Sequence, residues 1–367
     1  MKPLRISIAA RGLTEGFSGV NEFVQGMAGA FLEYQPEWEI YLYYNSSQAL
    51  GRFPKARERV LKSRSRLLWD YILLPLAMRR DQIDVAIFPK GPIPWFAPRQ
   101  SIAMILDLGY FYPDLRAYKL FDTWYMRLAL PLAARRAWKV FTISEYTRQD
   151  VLRLFKVPPD KVLTTYLATS AGYRRVTDDK KLEEVRQRYR LVQPFVFYPT
   201  SFSPRKNVER LLEAFRSVSD QIPHHLYLTG RQTWRKNEIM ERLTGALSER
   251  VHLLGSVPAE DMPSIYTLAD FTVYVSLFEG FGLPVVEAFR CGSPAIISDL
   301  TSLPEVAGDA ALIVEGYNIE SIRQGLLRLA QDESLRWELV ARGYQRAEYF
   351  TWERTVRKIS EAIGKEK

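Results

Sequence analysis

Short runs of β-branched and aromatic residues alternate with amphipathic segments along the whole chain, the pattern of parallel sheets covered by helices. In the first half, RISIAA (5–10), EIYLYYN (39–45), DVAIFPK (84–90), SIAMIL (101–106), KVFTIS (139–144) and KVLTTYLAT (161–169) predict strands. The polar stretch TDDKKLEEVRQRYRLVQP (177–194) then breaks the apolar rhythm and predicts a connection between domains. A second series follows with FVFYPT (195–200), LYLTG (226–230), VHLLGSV (251–257), FTVYVS (271–276), PAIIS (294–298) and ALIVE (311–315). Between strands, PRKNVERLLEAF sets Val208, Leu211, Leu212 and Phe215 at helical spacing, so one face can be buried. No internal repeat is visible. The expected fold is α/β, with two doubly wound domains facing each other across an interdomain cleft and ligands at the carboxyl ends of the strands. The expected boundaries are 1–176 for the first domain, 177–194 for the linker, 195–349 for the second domain and 350–367 for a last helix begun by Thr351.

At 367 residues the chain is too long for one comfortable core, which agrees with two domains. With 47% hydrophobic and 25% charged residues, the composition is that of a folded globular protein. The single cysteine, Cys291, excludes an internal disulfide, and His224, His225 and His252 lack metal-ligand spacing. The N-terminal MKPLRISIAARG reads as a strand, without the core and cleavage site of a secretory signal, so a cytoplasmic location is expected. The longest apolar segment, LLWDYILLPLAM (67–78), is too short to span a bilayer.

Charge adds a partner question. The formal net charge is +9, and much of it sits in GRFPKARERVLKSRSR (51–66), followed by the basic and aromatic YKLFDTWYMRLALPLAARRAWK (118–139). Two readings stand side by side: an anionic membrane surface, or a solvated charged face over an ordinary core helix. Nucleic acid is not expected, because no binding motif accompanies the charge.

The chemistry concentrates in SLFEGFGLPVVEAFRCGSPAIISD (276–299), where Glu279 precedes Gly280 and Gly282, and Glu287 follows on the next helix. The glycines permit positive φ and a close backbone approach. Pro284 can begin the helix, whose free NH groups and positive dipole end suit a phosphate. Carboxylates accept paired hydrogen bonds from vicinal hydroxyls, so Glu279 can hold a sugar and Glu287 a ribose. Alternatively, Glu279 offsets the helix dipole and Glu287 caps a loop. A second element is SFSPRKN (201–207), with Ser203 as a cap, Pro204 as first residue, and Arg205 and Lys206 at a helix start. Two cations there oppose the dipole, a conflict that an anion such as a diphosphate would resolve; solvated surface charges are the alternative.

SPRKNVERLLEAF followed by FEGFGLPVVEAFRCGSPAIISDLTSLPEVAGDAALIVE strongly resembles the retaining glycosyltransferases of family 4, which carry two facing Rossmann-like domains, the GT-B fold. Glu279 and Glu287 match that family's E-x7-E motif. SGVNEFVQGMAGAF (18–31) is similar to its first glycine turn and helix, and ISEYTRQDVLRLFKVPPDKV (143–162) to the segment before its linker. The resemblance implies retaining transfer of a hexose from a nucleotide-sugar donor, with no cofactor and no required metal. Arg205 and Lys206 would bind the diphosphate and Glu287 the ribose. Glu279, with the backbone of Gly280, Phe281, Gly282 and Leu283, would hold the sugar and phosphates. Gly19 would approach the diphosphate from the first domain. Ser256 and Val257 would hold the base, with Arg231 a further base or phosphate contact. The last helix would cross back to the first domain.

One position departs from the family. Where many relatives carry histidine before aspartate, this chain has Leu106 before Asp107, so the acceptor arrangement is open; Asp107 orients the acceptor hydroxyl or caps a turn. Similarity of LPEVAGDAALIVE to mannosyltransferase-like members points to GDP-mannose, then UDP-glucose or another UDP-sugar. Tyr110, Phe111, Tyr112, Phe121, Trp124 and Tyr125 either belong to the core or, together with the basic stretch, suggest a glycan or lipid-linked acceptor at the cytosolic face of a membrane. The competing readings are a nucleotide-sugar hydrolase or epimerase of the same fold, and a noncatalytic nucleotide-sugar-binding subunit.

Overall fold

Burial on both faces explains the first sheet. In β1 (Arg5–Ala9), β4 (Val85–Phe88), β5 (Gln100–Ile105) and β6 (Lys139–Thr142) nearly every side chain is hidden, as strands covered by helices on both sides require. In this computed structural model, which describes residues 2–11, 13, 19–115, 118–230 and 246–364, they join β2 (Glu39–Tyr44), β3 (Arg57–Val60) and β7 (Val162–Thr164). All pairings are parallel, in the order β3-β2-β1-β4-β5-β6-β7. Chain order therefore reverses between β1 and β4.

β3 was not expected from the sequence. Its RERV carries no apolar pair to signal a strand; it lies at the sheet edge, with Arg57 and Arg59 exposed. Register with β2 and hydrogen bonds to Glu58 hold it: Tyr44 Oη donates over 2.8 Å and Gly51 N over 2.7 Å. Charged side chains on an exposed edge also discourage pairing with another chain. The predicted strand at 161–169 is shorter than expected, ending at Thr164.

Helices α1 (Gly19–Tyr34), α2 (Arg66–Leu68), α3 (Leu74–Arg80), α4 (Leu120–Arg136) and α5 (Glu145–Phe155) flank this sheet, with a π turn at Trp69–Leu73 between α2 and α3. The C-terminal helix, Trp352–Gly364, packs on α1: the Trp352 ring fills the place a Cβ on Gly26 would take, 2.1 Å away. Thr351 caps it, accepting from Arg354 N at 3.2 Å.

The second sheet comprises β8 (Phe195–Pro199), β9 (His225–Thr229), β10 (Val251–Gly255), β11 (Phe271–Tyr274), β12 (Ala295–Ser298) and β13 (Ala311–Val314). These strands are also parallel, in the order β10-β9-β8-β11-β12-β13, with the reversal between β8 and β11. Around it lie α6 (Asp179–Arg188), α7 (Val208–Arg216), α8 (Met262–Leu268) and α9 (Leu283–Cys291). The fold class is α/β, built on two parallel sheets flanked by helices.

Two units follow from the contacts: Met1–Phe111, Tyr118–Ala168 and Thr351–Lys367 form the first, and Tyr112–Ala117 with Thr169–Phe350 the second. The stretch 177–194 lies inside the second unit. Its middle is α6, whose N-cap Asp178 accepts from Lys180 N and Lys181 N. Among the described residues, no helix is long and apolar enough to cross a membrane.

Candidate functional site

The carboxyl ends of β8 and β11 sit side by side at the reversal of the second sheet, where open parallel sheets offer a crevice. β8 leads into a 3-10 turn, Pro204–Lys206, one residue before α7. Ser203 stands at its cap position without a side-chain capping bond. Asn207 then takes the left-handed region, φ 57°, which asparagine tolerates better than most residues, and its Nδ2 donates to Val275 O at 3.0 Å and Gly316 O at 2.6 Å. These bonds tie the turn to the end of β11 and fix where the two preceding cations point.

The cations converge on Glu279. Lys206 Nζ donates to Glu279 Oε1 at 2.6 Å and to Tyr274 Oη at 2.5 Å; Arg205 Nη1 donates to Glu279 Oε2 at 3.0 Å and to Phe278 O at 2.8 Å. Lys206 and Glu279 are each only 7% exposed. Burial alone would raise the Glu279 carboxyl; Arg205 first, then Lys206, outweigh it and hold the group down at about 2. The ordinary conflict of two cations beside a helix start is thus relieved within the chain by Glu279, rather than requiring an outside anion as expected. A net charge of +1 is left on the trio.

Glu279 is itself fixed by its backbone: its N–H donates to Thr301 Oγ1 at 3.1 Å, and Ser302 Oγ donates to its carbonyl at 3.0 Å. Of the two turn glycines, Gly282 is the one with positive φ, 103°, and caps α9 with Pro284 in its first turn. A Cβ there would lie 2.5 Å from Leu303 Cδ2. Phe281 points its ring into the core, edge-on to Phe350 at 5.4 Å, and its carbonyl accepts from Ser302 Oγ at 2.9 Å. Leu283 is the first residue of α9.

Glu287, on α9, is buried and has a different partner, Tyr266 Oη on α8 at 2.8 Å. Burial and that carboxylate push the Tyr266 hydroxyl well above its ordinary value, so Tyr266 is held as a proton donor. After β10, Ser256 is exposed while Val257 packs partly against the core. Arg231 lies outside the described residues. The sequence signalled Arg205, Lys206 and Glu279 but not Tyr274, Asn207, Thr301 and Ser302, which hold them.

In the first unit, Gly19 opens α1. Asp107 follows β5 and uses Oδ1 as a turn cap, accepting from Gly109 N at 2.9 Å and from Tyr118 Oη at 3.2 Å. The aromatic residues divide: Tyr110 stacks on Tyr118 at 3.9 Å, Phe111 packs on Phe155, Tyr125 bonds Tyr71, and Phe121 and Trp124 stay exposed. Among the described residues, no group of three His, Cys, Asp or Glu side chains is arranged to hold a metal.

Residues 180–346 match the family Glycosyl transferases group 1. The O-antigen chain mannosyltransferase B of Escherichia coli is 37% identical over 235 residues, 62% of this chain and 61% of that enzyme, so the chain spans about three fifths of that relative's length. Among solved structures, a glycosyltransferase from Rickettsia africae superposes with a TM-score of 0.77 at 16% identity, covering 100% of both chains. Anabaena HepE, in complex with UDP and glucose, gives 0.77 at 16% identity over 98% of this chain and 99% of its own. Residues 180–346 are therefore a group 1 glycosyl transferase domain, homologous to O-antigen mannosyltransferases, in a chain with the two-sheet α/β architecture of the GT-B glycosyltransferases.

Proposed function

We propose that the chain is a retaining glycosyltransferase that moves a hexose from a nucleotide-sugar donor, GDP-mannose first, to a glycan or lipid-linked acceptor. The observation that carries this reading is the Arg205–Lys206–Glu279 cluster at the β8/β11 reversal, inside the matched domain. The relative named as a mannosyltransferase favours mannose; the UDP and glucose bound by HepE keep UDP-sugars as the second choice.

Arg205 and Lys206 would stabilise the departing diphosphate, the larger part of the barrier lowering, because they are already held and desolvated before the bond breaks. The free NH groups at the start of α9 would add to that field. Glu279, ionised at any working pH, positions both cations and can accept from sugar hydroxyls; Glu287 would take the ribose. The leaving phosphate oxygen would accept the acceptor's proton as the new bond forms on the same face of the sugar, so no protein nucleophile and no metal is needed. The test is donor turnover in excess EDTA, with and without acceptor, reading the product's anomeric configuration by NMR. Acceptor-dependent product with the donor's configuration supports the reading. Turnover without acceptor would make the chain a hydrolase or epimerase. The engaged Oδ1 of Asp107, with Leu106 before it, favours a noncatalytic nucleotide-sugar-binding subunit as the second reading, and no turnover despite nucleotide binding would select it.

We also propose a cytoplasmic protein that meets an anionic membrane surface through α4. Leu120, Trp124, Leu128 and Leu132 recur every four residues and are exposed, with Phe121 beside them at 73%. Lys119, Arg127, Arg135, Arg136 and Lys139 stand along the same segment against Asp122. Apolar side chains entering the acyl boundary with cations at the headgroups suit this arrangement. Cosedimentation with vesicles rich in phosphatidylglycerol should fall about tenfold in the Phe121→Ser/Trp124→Ser variant; unchanged binding would contradict it.

A further inference from the structure

The first unit has its own reversal point, between β1 and β4, and the segments around it build a charged depression. Ala9 at the end of β1 and Phe88, Pro89 and Lys90 at the end of β4 line it, together with Arg11, Arg66, Trp69 and Asp70; its empty volume is about 400 Å³ including the open mouth.

The electrostatics of the depression are unbalanced. Asp70 takes one cation on each oxygen: Arg11 Nε lies 3.0 Å from Oδ1 and Arg66 Nε 3.4 Å from Oδ2. Lys90 adds a third cation with no second carboxylate in the lining, so three positive charges face one negative. Trp69, 1% exposed, belongs to the same wall. An excess of like charge costs stability, and a bound anion could offset it.

We propose that the β1/β4 depression binds the phosphate or pyrophosphate of a phosphorylated acceptor, through Arg11, Arg66 and Lys90. Arg66 is also stacked on Tyr125, with its guanidinium carbon 4.7 Å from the ring centre, which fixes its direction. Open parallel sheets bind ligands at the point where strand order reverses, and cationic forks there select phosphoryl oxygens. The assignment of this anion to an acceptor rests on the glycosyl-transfer reading; the anion site itself does not.

The test is calorimetric titration of the full chain with inorganic pyrophosphate, repeated with Lys90→Gln and Arg66→Gln, with GDP titrated in parallel. Lys90 is exposed, so its substitution preserves the fold even if Arg66→Gln does not. The expected result is a pyrophosphate site weakened about tenfold in Lys90→Gln, with GDP affinity unchanged. Isotherms identical in the wild type and both variants, or no pyrophosphate binding, overturn the site. Pyrophosphate binding that depends on Lys90 without any GDP binding would keep the site and remove the donor reading. Phosphatidylcholine vesicles with and without a polyprenyl diphosphate separate the sources: binding that needs the doped lipid and Lys90 assigns a lipid-linked anion, and binding of free pyrophosphate alone assigns a soluble one.

Discussion

The two sheets reverse at equivalent places, β1/β4 and β8/β11, and both reversals gather cations, yet they are balanced differently. At β8/β11, Arg205 and Lys206 share both oxygens of a carboxylate held at about 2, and Lys206 is buried with a phenol, Tyr274, as a further partner. At β1/β4, three cations share Asp70, whose carboxyl burial raises despite Arg11 and Arg66. The first cluster is paired within its own chain. The second carries a surplus of positive charge over its one carboxylate. Pre-organised charge suits a group that must act at the instant of bond cleavage, and surplus charge suits recognition.

The largest expected effect falls on the balanced cluster. Lys206→Ala leaves Glu279 buried with Arg205 as its remaining cation, and should destabilise the second unit by about 3–5 kcal/mol in denaturant unfolding. A loss below about 1 kcal/mol would mean that the cluster is solvated like a surface pair.

A smaller effect follows from protonation. Glu279 titrates near 2 in the folded chain against an ordinary 4.5, so its contribution is present above about pH 4.5 and disappears as the pH falls toward 2. By linkage this is about 3 kcal/mol at full extent. Stability measured against pH should therefore fall more steeply over that window in the wild type than in Glu279→Gln. Parallel curves would contradict the paired state of the carboxylate.

The smallest effect belongs to the unbalanced cluster and has the opposite sign. Lys90→Gln removes an exposed cation that faces Arg11 and Arg66, and should leave stability unchanged or raise it by up to about 0.5 kcal/mol in thermal unfolding. A clear loss would show that Lys90 supports the fold and would weaken the contrast between the reversals.

The same contrast explains what was legible in the sequence. Arg205 and Lys206 are adjacent, Glu279 leads a glycine turn, and the strands before them are apolar, so local pattern and motif spacing marked the β8/β11 cluster. Its supports were not legible: Tyr274 looks like any strand residue, and Asn207 acts through backbone carbonyls of Val275 and Gly316 brought near by folding. In the first unit, Arg11, Arg66, Asp70 and Lys90 come from separate segments that meet only because β1 pairs with β4. No spacing along the chain announces them. β3 is illegible for a related reason, since this edge strand is held by register and hydrogen bonds to Glu58 rather than by apolar residues.

The most direct test of the central claim, that the β8/β11 reversal is the donor site, is calorimetric titration with GDP, UDP and ADP without added metal, repeated with Arg205→Ala and Glu287→Ala. The account predicts that one nucleotide, GDP first, binds and that each substitution weakens it by about tenfold or more. Equal binding by the wild type and both variants, or no binding of any of the three, would contradict it.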